Sequence, residues 1–298
     1  MQKFWSILFG GTMLGALLLF IVSPFVGWWL PRNVATFGGG IDWLYYLILA
    51  ITGFFFILTE AVLVVALWRF AASPGRKAVY QHGNHRLEVI WTVVPGVILL
   101  VLAIVQINVW AEVKFLKNMP KPDGQTQQME VLAKQWEWRI RYPSVARMAE
   151  WEKNPKAAED FDRNPHLDDL YLPNEIHIWN GTPGNLNRVL VHLKTQDVIH
   201  SFFLPNLRLK QDALPGKTIP VWFAVTDSNT DLDPQSTDAQ PRWIDREIWE
   251  LACAEFCGTR HSLMRGKLYV HKNKADFMKW LAHAEAEQNR HKTEMASR

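Results

Sequence analysis

The amino-acid sequence predicts N-terminal membrane-spanning helices followed by an all-β sandwich. Of the 298 residues, 49% are hydrophobic and 20% are charged, yet the mean hydropathy is close to zero because apolar residues concentrate in the first third. Short runs of β-branched and aromatic residues, separated by Pro, Gly and Asn, follow from residue 128. The chain therefore has room for a membrane anchor and one aqueous domain.

The charge balance argues against a nucleic-acid partner. The formal net charge is only +3, and no run of Lys and Arg is long enough to form a binding stripe. Several of the 15 tryptophans stand at the ends of apolar runs, as in the aromatic belts at membrane interfaces. The lipid bilayer is the partner that this composition indicates.

The first apolar segment, residues 1–31, is interpreted as a retained helix. Phe4–Val22 comes close to spanning a hydrocarbon core of about 30 Å at about 1.5 Å per residue. A signal peptide would also suit this length, but the run continues through Pro24 and Trp28 without a small-residue cleavage motif.

A transmembrane hairpin is predicted over residues 43–110, with spans at Trp43–Trp68 and Val89–Trp110. The loop between these spans has no acidic residue before Glu88 but contains Arg69, Arg76, Lys77 and Arg86. Because cytoplasmic loops carry an excess of Lys and Arg, this loop is assigned to the cytoplasm and the chain after Trp110 to the outside. We expect an integral protein of a bacterial-type inner membrane with a periplasmic domain.

Two carboxylates lie in or beside the spans. Glu60 stands within the second span, where an ionised group is costly, so it should face protein, water or a partner. A hydrogen bond at a helix interface and a transport role are both open for Glu60. Glu88 begins the third span, where the helix dipole alone would explain an acidic residue.

Seven segments within residues 128–274 have the composition of strands and predict a small sandwich or barrel. They are Val131–Tyr142, Glu175–Trp179, Val189–Leu193, Val198–Leu204, Thr218–Val225, Glu247–Ala252 and Lys267–His271. Ser144–Asp169, with a short helix over Val145–Ala157, and Asp227–Gln240 are interpreted as insertions. They are either neutral surface loops or a contact surface for another subunit.

Residues 275–298 are predicted to form a C-terminal helix and tail. Phe277, Trp280 and Leu281 lie at helical spacing, which indicates a helix that packs against the sandwich or another subunit. Asn289–Arg298 is expected to be disordered.

The two cysteines of the chain lie in one short stretch, Cys253-Ala-Glu-Phe-Cys257-Gly-Thr-Arg-His261-Ser-Leu-Met264. Thiolates, imidazoles and thioethers are ligands that favour copper over magnesium, calcium or manganese. A disulfide is the alternative on the outer side of a membrane. The nearby His261 and Met264 favour a metal site, because a structural disulfide would not require them. His200, upstream, is a candidate for a further ligand.

The order of these motifs resembles cytochrome c oxidase subunit II with its dinuclear copper A centre. The matching stretches are Glu88-x2-Trp91-Thr-x2-Pro95, Gln135-Trp136-x-Trp138, His200, Leu204-Pro205, Lys210-Gln-Asp212-Ala-Leu-Pro215-Gly216 and Cys253–Met264. The resemblance implies a cupredoxin-like Greek-key sandwich. It also implies a subunit of a proton-translocating oxidase that accepts electrons from a reduced cytochrome c-like donor and passes them to the catalytic subunit for oxygen reduction.

The resemblance further implies a role for individual residues. Two copper ions would be bridged by Cys253 and Cys257, and the remaining ligands would be His200, His261, Met264 and the backbone carbonyl of Glu255. The Glu255 carboxylate would be free to reach a magnesium ion shared with catalytic subunit I. Glu88 would stand at the cytoplasmic mouth of a proton path into that subunit. Other oxidase subunits are further expected partners.

Trp136, by the same resemblance, would be an exposed indole above the copper site that contacts the haem of the donor. On a strand, Trp136 or Trp138 would otherwise be a core residue. The surroundings of Trp136 depart from the acidic surface of the family, because Lys134, Arg139 and Arg141 lie beside it in sequence. We therefore expect an acidic cytochrome, or a haem domain held in a fixed complex, as the donor.

Three other classes of protein share parts of this pattern. A copper chaperone combines Cys-x3-Cys with a His and a membrane anchor, but it has a thioredoxin-like scaffold and lacks His-x2-Met directly after the cysteines. A quinol oxidase subunit lacks the cysteine ligands, and a nitrous oxide reductase needs an additional propeller domain. The sequence has no Cys-x2-Cys-His motif, so it attaches no c-type haem.

Overall fold

The computed structural model describes residues 2–72, 75–77, 79–80, 82–182, 184–237 and 241–297. Five helices occur in these residues: Gln2–Val22 (α1), Gly38–Arg69 (α2), His85–Lys114 (α3), Val145–Lys153 (α4) and Lys274–Ala296 (α5). The chain divides into two compact units. The helical unit comprises Met1–Pro31 and Gly40–Val109, and the sheet unit comprises Arg32–Gly39 and Trp110–Arg298.

The helical unit contains the predicted membrane-spanning segments. Lys3–Val26, Gly38–Arg69 and His85–Lys114 are each long and apolar enough to cross a bilayer. The second and third helices extend beyond the spans predicted at Trp43–Trp68 and Val89–Trp110. The prediction of a hairpin preceded by an additional helix is confirmed.

Helix α1 contacts α2 near both of its ends. The Ser6 hydroxyl donates to the Val64 carbonyl over 3.0 Å, and the Lys3 ammonium lies 4.6 Å from the centre of the Trp68 ring. After the other end of α1, the Trp29 indole donates to the Tyr46 hydroxyl. These contacts make the first apolar segment part of the helical unit.

Glu60 lies one turn before Val64 on α2. One oxygen of its carboxyl group is buried and has no hydrogen-bond partner within the described part of the chain. A hydrogen bond at a helix interface was one of the two roles that the sequence allowed for Glu60. Within the described residues, this oxygen does not form such a bond. A buried carboxyl oxygen without a partner is costly, so this position calls for a partner from outside the described residues.

The sheet unit contains 12 strands in its described residues. They are Gln127–Lys134 (β1), Glu137–Tyr142 (β2), Leu170–Pro173 (β3), Glu175–Trp179 (β4), Arg188–Thr195 (β5), His200–Leu204 (β6), Leu209–Ala213 (β7), Ile219–Ala224 (β8), Thr230–Leu232 (β9), Trp243–Asp245 (β10), Trp249–Cys253 (β11) and Arg265–His271 (β12). One sheet has the order β3-β2-β1-β5-β8. The other has the order β10-β9-β12-β11-β6-β7, with β4 also paired to β12.

Side chains of both sheets form one core. Trp138 and Ile140 of the first sheet and Phe202 and Val270 of the second are fully buried. The Trp138 and Phe202 rings meet edge to face, with centroids 5.7 Å apart. This all-β sandwich confirms the predicted fold class. It differs from the thioredoxin-like scaffold of a copper chaperone, so that alternative is wrong.

The predicted division into strands is wrong in several places. Val131–Tyr142 is a hairpin, because β1 and β2 pair antiparallel with Lys134 opposite Glu137. The sequence conceals this turn, since neither Gly, Pro nor Asn marks it and both sides have strand composition. The short strands β3, β7, β9 and β10 were not predicted, and β9 lies inside the proposed insertion Asp227–Gln240, whose last three residues are outside the described ones.

The C-terminal helix is longer than predicted. It extends to Ala296, so the disorder expected for Asn289–Arg298 is wrong for the residues described, which end before Arg298. The Gln288 side chain accepts from the Tyr171 amide and donates to the Asp169 carbonyl, each over 3.0 Å. Lys292 donates to the Leu167 carbonyl. The insertion Ser144–Asp169, whose helix ends at Lys153, thus contributes to holding α5.

Arg32–Gly39, which precedes α2 in the chain, belongs to the sandwich. The Val34 amide donates to the Asn206 carbonyl, and the Thr226 amide donates to the Val34 carbonyl, both over 2.9 Å. Phe37 is 3% exposed, and its ring lies 5.6 Å from that of Trp222. The sheet unit therefore includes residues outside the range 128–274 assigned to it from sequence.

We predict that Phe37→Ala lowers the free energy of unfolding of the sheet unit by about 3–5 kcal/mol, because it leaves a cavity beside Trp222. Hydrogen exchange of β5 and β8 in the full-length protein measures this. Ile248→Ala is the control, since Ile248 is 69% exposed and its loss should be within about 0.5 kcal/mol of neutral. Equal protection in both variants would show that the segment is not part of the core.

Candidate metal centre

Three neighbouring strands carry the predicted metal ligands. β6 begins at His200, β11 ends at Cys253, and β12 begins directly after Met264. In the sheet β11 lies between β6 and β12, and Cys253 is paired with Phe202 of β6. The loop from β11 to β12 is closed by a hydrogen bond from the Cys253 amide to the Met264 carbonyl over 3.2 Å. Backbone pairing therefore fixes where the ligands stand.

The two cysteines are free thiols. Their sulfurs are 3.8 Å apart, far beyond the length of about 2.0 Å of a disulfide bond. The Nδ1 atom of His200 is 3.8 Å from the Cys253 sulfur, and ligand atoms of all three residues lie within 4.8 Å of one another. The disulfide alternative is not realised, and the thiols face the same space as the imidazole.

The loop supplies three further donor atoms around the thiols. The Cys257 sulfur is 3.5 Å from Nδ1 of His261 and 3.9 Å from the Met264 sulfur. The Glu255 carbonyl oxygen is 3.3 Å from the Cys253 sulfur, whereas the Glu255 side chain is exposed. All six residues predicted as metal ligands are thus brought together.

The chemistry of this donor set fits a soft transition metal. Thiolate, imidazole and thioether ligands are typical of copper, and magnesium or calcium sites are built from oxygen ligands. His200, Met264 and Cys257 are buried, so a bound ion would be shielded from water on that side. On the other side Phe256 is 77% exposed, which leaves the loop open to a partner.

The two thiols differ strongly in acidity. Burial opposes ionisation of Cys253, but hydrogen bonds with His200 and backbone groups lower its pKa to about 6. Burial raises the pKa of Cys257 to about 12, and the adjacent charge of Cys253 adds to the effect. Burial likewise opposes protonation of His200, but its contact with Cys253 raises the pKa of the imidazole. Cys253 is therefore the more acidic thiol of the two.

Comparison with known proteins gives the family. Residues 27–109 match the family model for the transmembrane domain of cytochrome c oxidase subunit II, and residues 128–233 match the model for its periplasmic domain. The two matches together cover more than half of the chain. This chain belongs to the cytochrome c oxidase subunit II family. His200 lies inside the second match, whereas the Cys253–Met264 loop follows it.

Two relatives from this family have low sequence identity to the chain. The chain is 28% identical to the "Alternative cytochrome c oxidase subunit 2" of Bradyrhizobium diazoefficiens, over 90% of this chain and 87% of the relative. It is 27% identical to cytochrome c oxidase subunit 2 of Cereibacter sphaeroides, over 82% and 76%. The crystal structure of the periplasmic domain of subunit II of cytochrome oxidase (CoxB) of Bradyrhizobium japonicum matches with a TM-score of 0.37 and 20% identity, covering 57% of this chain and 98% of that one.

Trp136 lies beside the predicted metal ligands, but it is not the exposed indole that the resemblance implies. It is half-buried, and its indole nitrogen donates to the Cys257 carbonyl over 3.3 Å. Trp138, two residues later on β2, is fully buried in the core. Gly258, at φ +118°, lies against the indole: an added Cβ would come within 3.2 Å of it.

Two residues that the sequence did not single out form hydrogen bonds to the predicted metal ligands. Asp197 lies 2.8 Å from Nε2 of His200, and it also accepts from the Gln135 amide over 2.8 Å. The Gln135 side chain donates to the Cys257 carbonyl over 2.8 Å. The spacing Asp-x2-His and the position of Gln135 before Trp136 were visible in the sequence, but their contacts depend on the folded sheets.

Glu88 lies in the helical unit, within the first turn of α3. Its side chain is 52% exposed, and one carboxylate oxygen is 3.9 Å from Nδ1 of His85. The Asn84 side chain accepts from the Arg86 amide and caps the helix, so Glu88 is not needed for that purpose. A Cβ at Gly83 would stand 2.5 Å from a Glu88 oxygen, which shows how closely the preceding loop approaches.

We predict that iodoacetamide alkylates Cys253 before Cys257 in the metal-free protein. The thiolate is the reactive form, so the Cys253 rate should rise with pH through about 6 and level off above that value. His200→Gln removes the hydrogen bond that lowers this pKa and should move the plateau to higher pH. Mass spectrometry of the labelled peptides measures both rates. His192→Gln is the control, and it should leave the Cys253 rate profile unchanged. A Cys253 rate in the wild type that still rises at pH 9 would contradict the lowered pKa of Cys253.

Proposed function

We propose that this protein is the subunit of a haem-copper terminal oxidase that accepts electrons at a dinuclear copper A centre. It would receive them from a reduced cytochrome c-like donor and pass them to the catalytic subunit, where oxygen reduction is coupled to proton pumping. The catalytic haems would belong to subunit I. The oxidase would lie in a bacterial-type inner membrane, with the sheet unit in the periplasm.

One observation carries this proposal: two free thiols, two imidazoles and a thioether converge at one end of the sandwich. Two copper ions would be held by the thiolates of Cys253 and Cys257 together with His200, His261 and Met264. The Glu255 carbonyl would complete the set. When bound, a dinuclear copper centre supplies a one-electron redox couple.

The protein's own contribution is to hold these ligands in place. His200 begins β6 and is oriented by Asp197, which fixes the imidazole with Nδ1 towards the thiols. The sulfurs and the buried Met264 are fixed by backbone hydrogen bonds at the ends of β11 and β12. Ligands that move little between redox states keep the reorganisation needed for electron transfer low.

Glu255 would join this site to a second metal. Its carbonyl points to the Cys253 sulfur, and its exposed carboxylate would be left for a magnesium ion shared with subunit I. Carboxylate oxygen is a ligand that magnesium prefers, usually with water and groups from a second source. One exposed carboxylate is too little for a magnesium site within this chain alone.

Copper loading of the full-length protein in detergent tests the proposal. We expect about two coppers per chain, since the proposed centre is dinuclear. The electron paramagnetic resonance spectrum should show one unpaired electron shared equally by two copper nuclei. Cys253→Ser and Cys257→Ser should each abolish this spectrum, because each removes a bridging thiolate. His192→Gln, on β5, is the matched control. A spectrum of a single copper nucleus would refute the dinuclear centre.

The charges around Trp136 support an unusual donor. Glu137, the acidic residue beside it, is 2.6 Å from Arg139 and 3.6 Å from Lys134. The hydrogen bond from Arg139 lowers the pKa of Glu137, so this carboxylate is ionised and paired.

Asp197, which accepts from the Gln135 amide, supplies a second anion, so two cations stand against two anions and the surface has no excess of negative charge. Arg141, expected from the sequence to lie beside Trp136, is instead buried against Asp169. Complementary charges raise encounter rates by roughly 10 to 1000-fold, and this surface offers no net complementary charge to a basic cytochrome, which leaves an acidic cytochrome or a haem domain in a fixed complex.

We predict that Trp136→Ala slows electron delivery from the donor strongly while the copper spectrum keeps its shared-electron pattern. Stopped-flow oxidation of an acidic and a basic cytochrome c by the intact oxidase gives the rates. The acidic protein should react faster, and its rate should fall as salt is raised. Lys134→Gln with Arg139→Gln should reduce this preference. Rapid, salt-sensitive oxidation of the basic cytochrome by the wild type would overturn the proposed donor class.

Glu88 is proposed to stand at the mouth of a proton path on the cytoplasmic side. It is exposed, lies beside His85, and follows the positively charged loop. We predict that Glu88→Gln slows turnover of the oxidase but leaves copper content and oxidation of the donor unchanged. Glu112→Gln, on the same helix at its other end, is the control. Wild-type turnover in Glu88→Gln would return Glu88 to a role in the helix dipole.

A further inference from the structure

We propose that Gln135 is a positioning residue that locks the loop of the two cysteines to both His200 and Trp136. This inference rests on the proposed function and names a residue that the metal itself would not touch. Gln135 donates two hydrogen bonds to two different partners. Its side chain donates to the Cys257 carbonyl and its backbone amide donates to Asp197. Together they connect two predicted ligands from distant parts of the chain, His200 and Cys257.

The side-chain amide reaches the cysteine loop. It donates to the Cys257 carbonyl over 2.8 Å, and the Trp136 indole donates to the same oxygen over 3.3 Å. A carbonyl oxygen has two lone pairs, so both donors are accommodated. The orientation of the indole and the position of Cys257 are thereby set by one shared acceptor.

The backbone amide of Gln135 reaches the histidine loop. It donates to Oδ2 of Asp197, whose other oxygen lies 2.8 Å from Nε2 of His200. A chain of hydrogen bonds therefore runs from His200 through Asp197 and Gln135 to Cys257. His200 and Cys257 are both predicted metal ligands, so this chain resists a change in their separation.

The local packing leaves little freedom at this contact. At Gly258 an added Cβ would lie 3.1 Å from the Gln135 side-chain nitrogen and 3.2 Å from the Trp136 ring. Gln135 itself is exposed, so it contributes little to the hydrophobic core. An exposed side chain whose amide is aimed at a ligand residue is better explained by positioning than by stability.

The decisive variant is Gln135→Met, which preserves the length of the side chain but cannot donate a hydrogen bond. In the full-length protein, we expect copper affinity to fall by about 10-fold or more, as for other residues that orient metal ligands. The hyperfine splitting of the copper spectrum should also change. In the metal-free protein, alkylation of Cys257 should become faster, because its loop is released. Gln135→Glu removes the amide donor in a second way and should act in the same direction.

The control is Gln196→Met. Gln196 is also an exposed glutamine, and it directly follows β5. This variant should match the wild type in every measurement. Unchanged copper affinity, splitting and Cys257 alkylation in Gln135→Met would overturn the inference. A thermal midpoint of the metal-free protein that falls with copper affinity would also overturn it, since the role would then be structural. If the wild type does not give the two-nucleus spectrum, the proposed function is refuted. The rate of Cys257 alkylation in metal-free Gln135→Met would still show whether Gln135 holds the loop of the two cysteines.

Discussion

The pairing of β6, β11 and β12 is the constraint on which the metal centre depends. Each of these neighbouring strands begins or ends at a ligand, so their backbone hydrogen bonds set the ligand positions before any metal arrives. The result is two thiols held 3.8 Å apart without a covalent bond, on the side of the membrane where cysteines are normally oxidised. In the proposed copper centre, a rigid frame of this kind would suit electron transfer, and copper delivery would have to compete with disulfide formation.

The surface next to this frame distinguishes the chain from the pattern expected for its family. Lys134 and Arg139 both pair with Glu137, so the acidic residue nearest in sequence to Trp136 is neutralised by two cations. Charge at an interface affects encounter rate and partner choice more than affinity. Under the proposed function, these charges would affect which donor the subunit accepts, while the predicted metal ligands are unchanged.

The segments outside the central sandwich consolidate it. Arg32–Gly39 pairs with the chain near Asn206 and Val225, and α5 is held by hydrogen bonds from the insertion Ser144–Asp169. Inside that insertion Asp169 is fully buried between Arg141 and Arg147, an arrangement that is costly to break because removing one partner leaves a buried charge. These segments are part of the packed domain. The insertion Ser144–Asp169 is therefore not a neutral surface loop.

The sequence by itself determined the membrane helices, the all-β class of the outer domain and the clustering of soft ligands around Cys253 and Cys257. Each depends on local composition or spacing: apolar length, period-two strands, and donor atoms within one loop. Only the tertiary structure decided the hairpin between β1 and β2, the helical conformation of α5 as far as Ala296, and the chain of hydrogen bonds that links His200, Asp197, Gln135 and Cys257. Gln135 and Asp197 are 62 residues apart, and Gln135 and Cys257 are 122 apart. Hydrogen bonds over such distances in sequence exist only once the two sheets have packed, so no local pattern announces them.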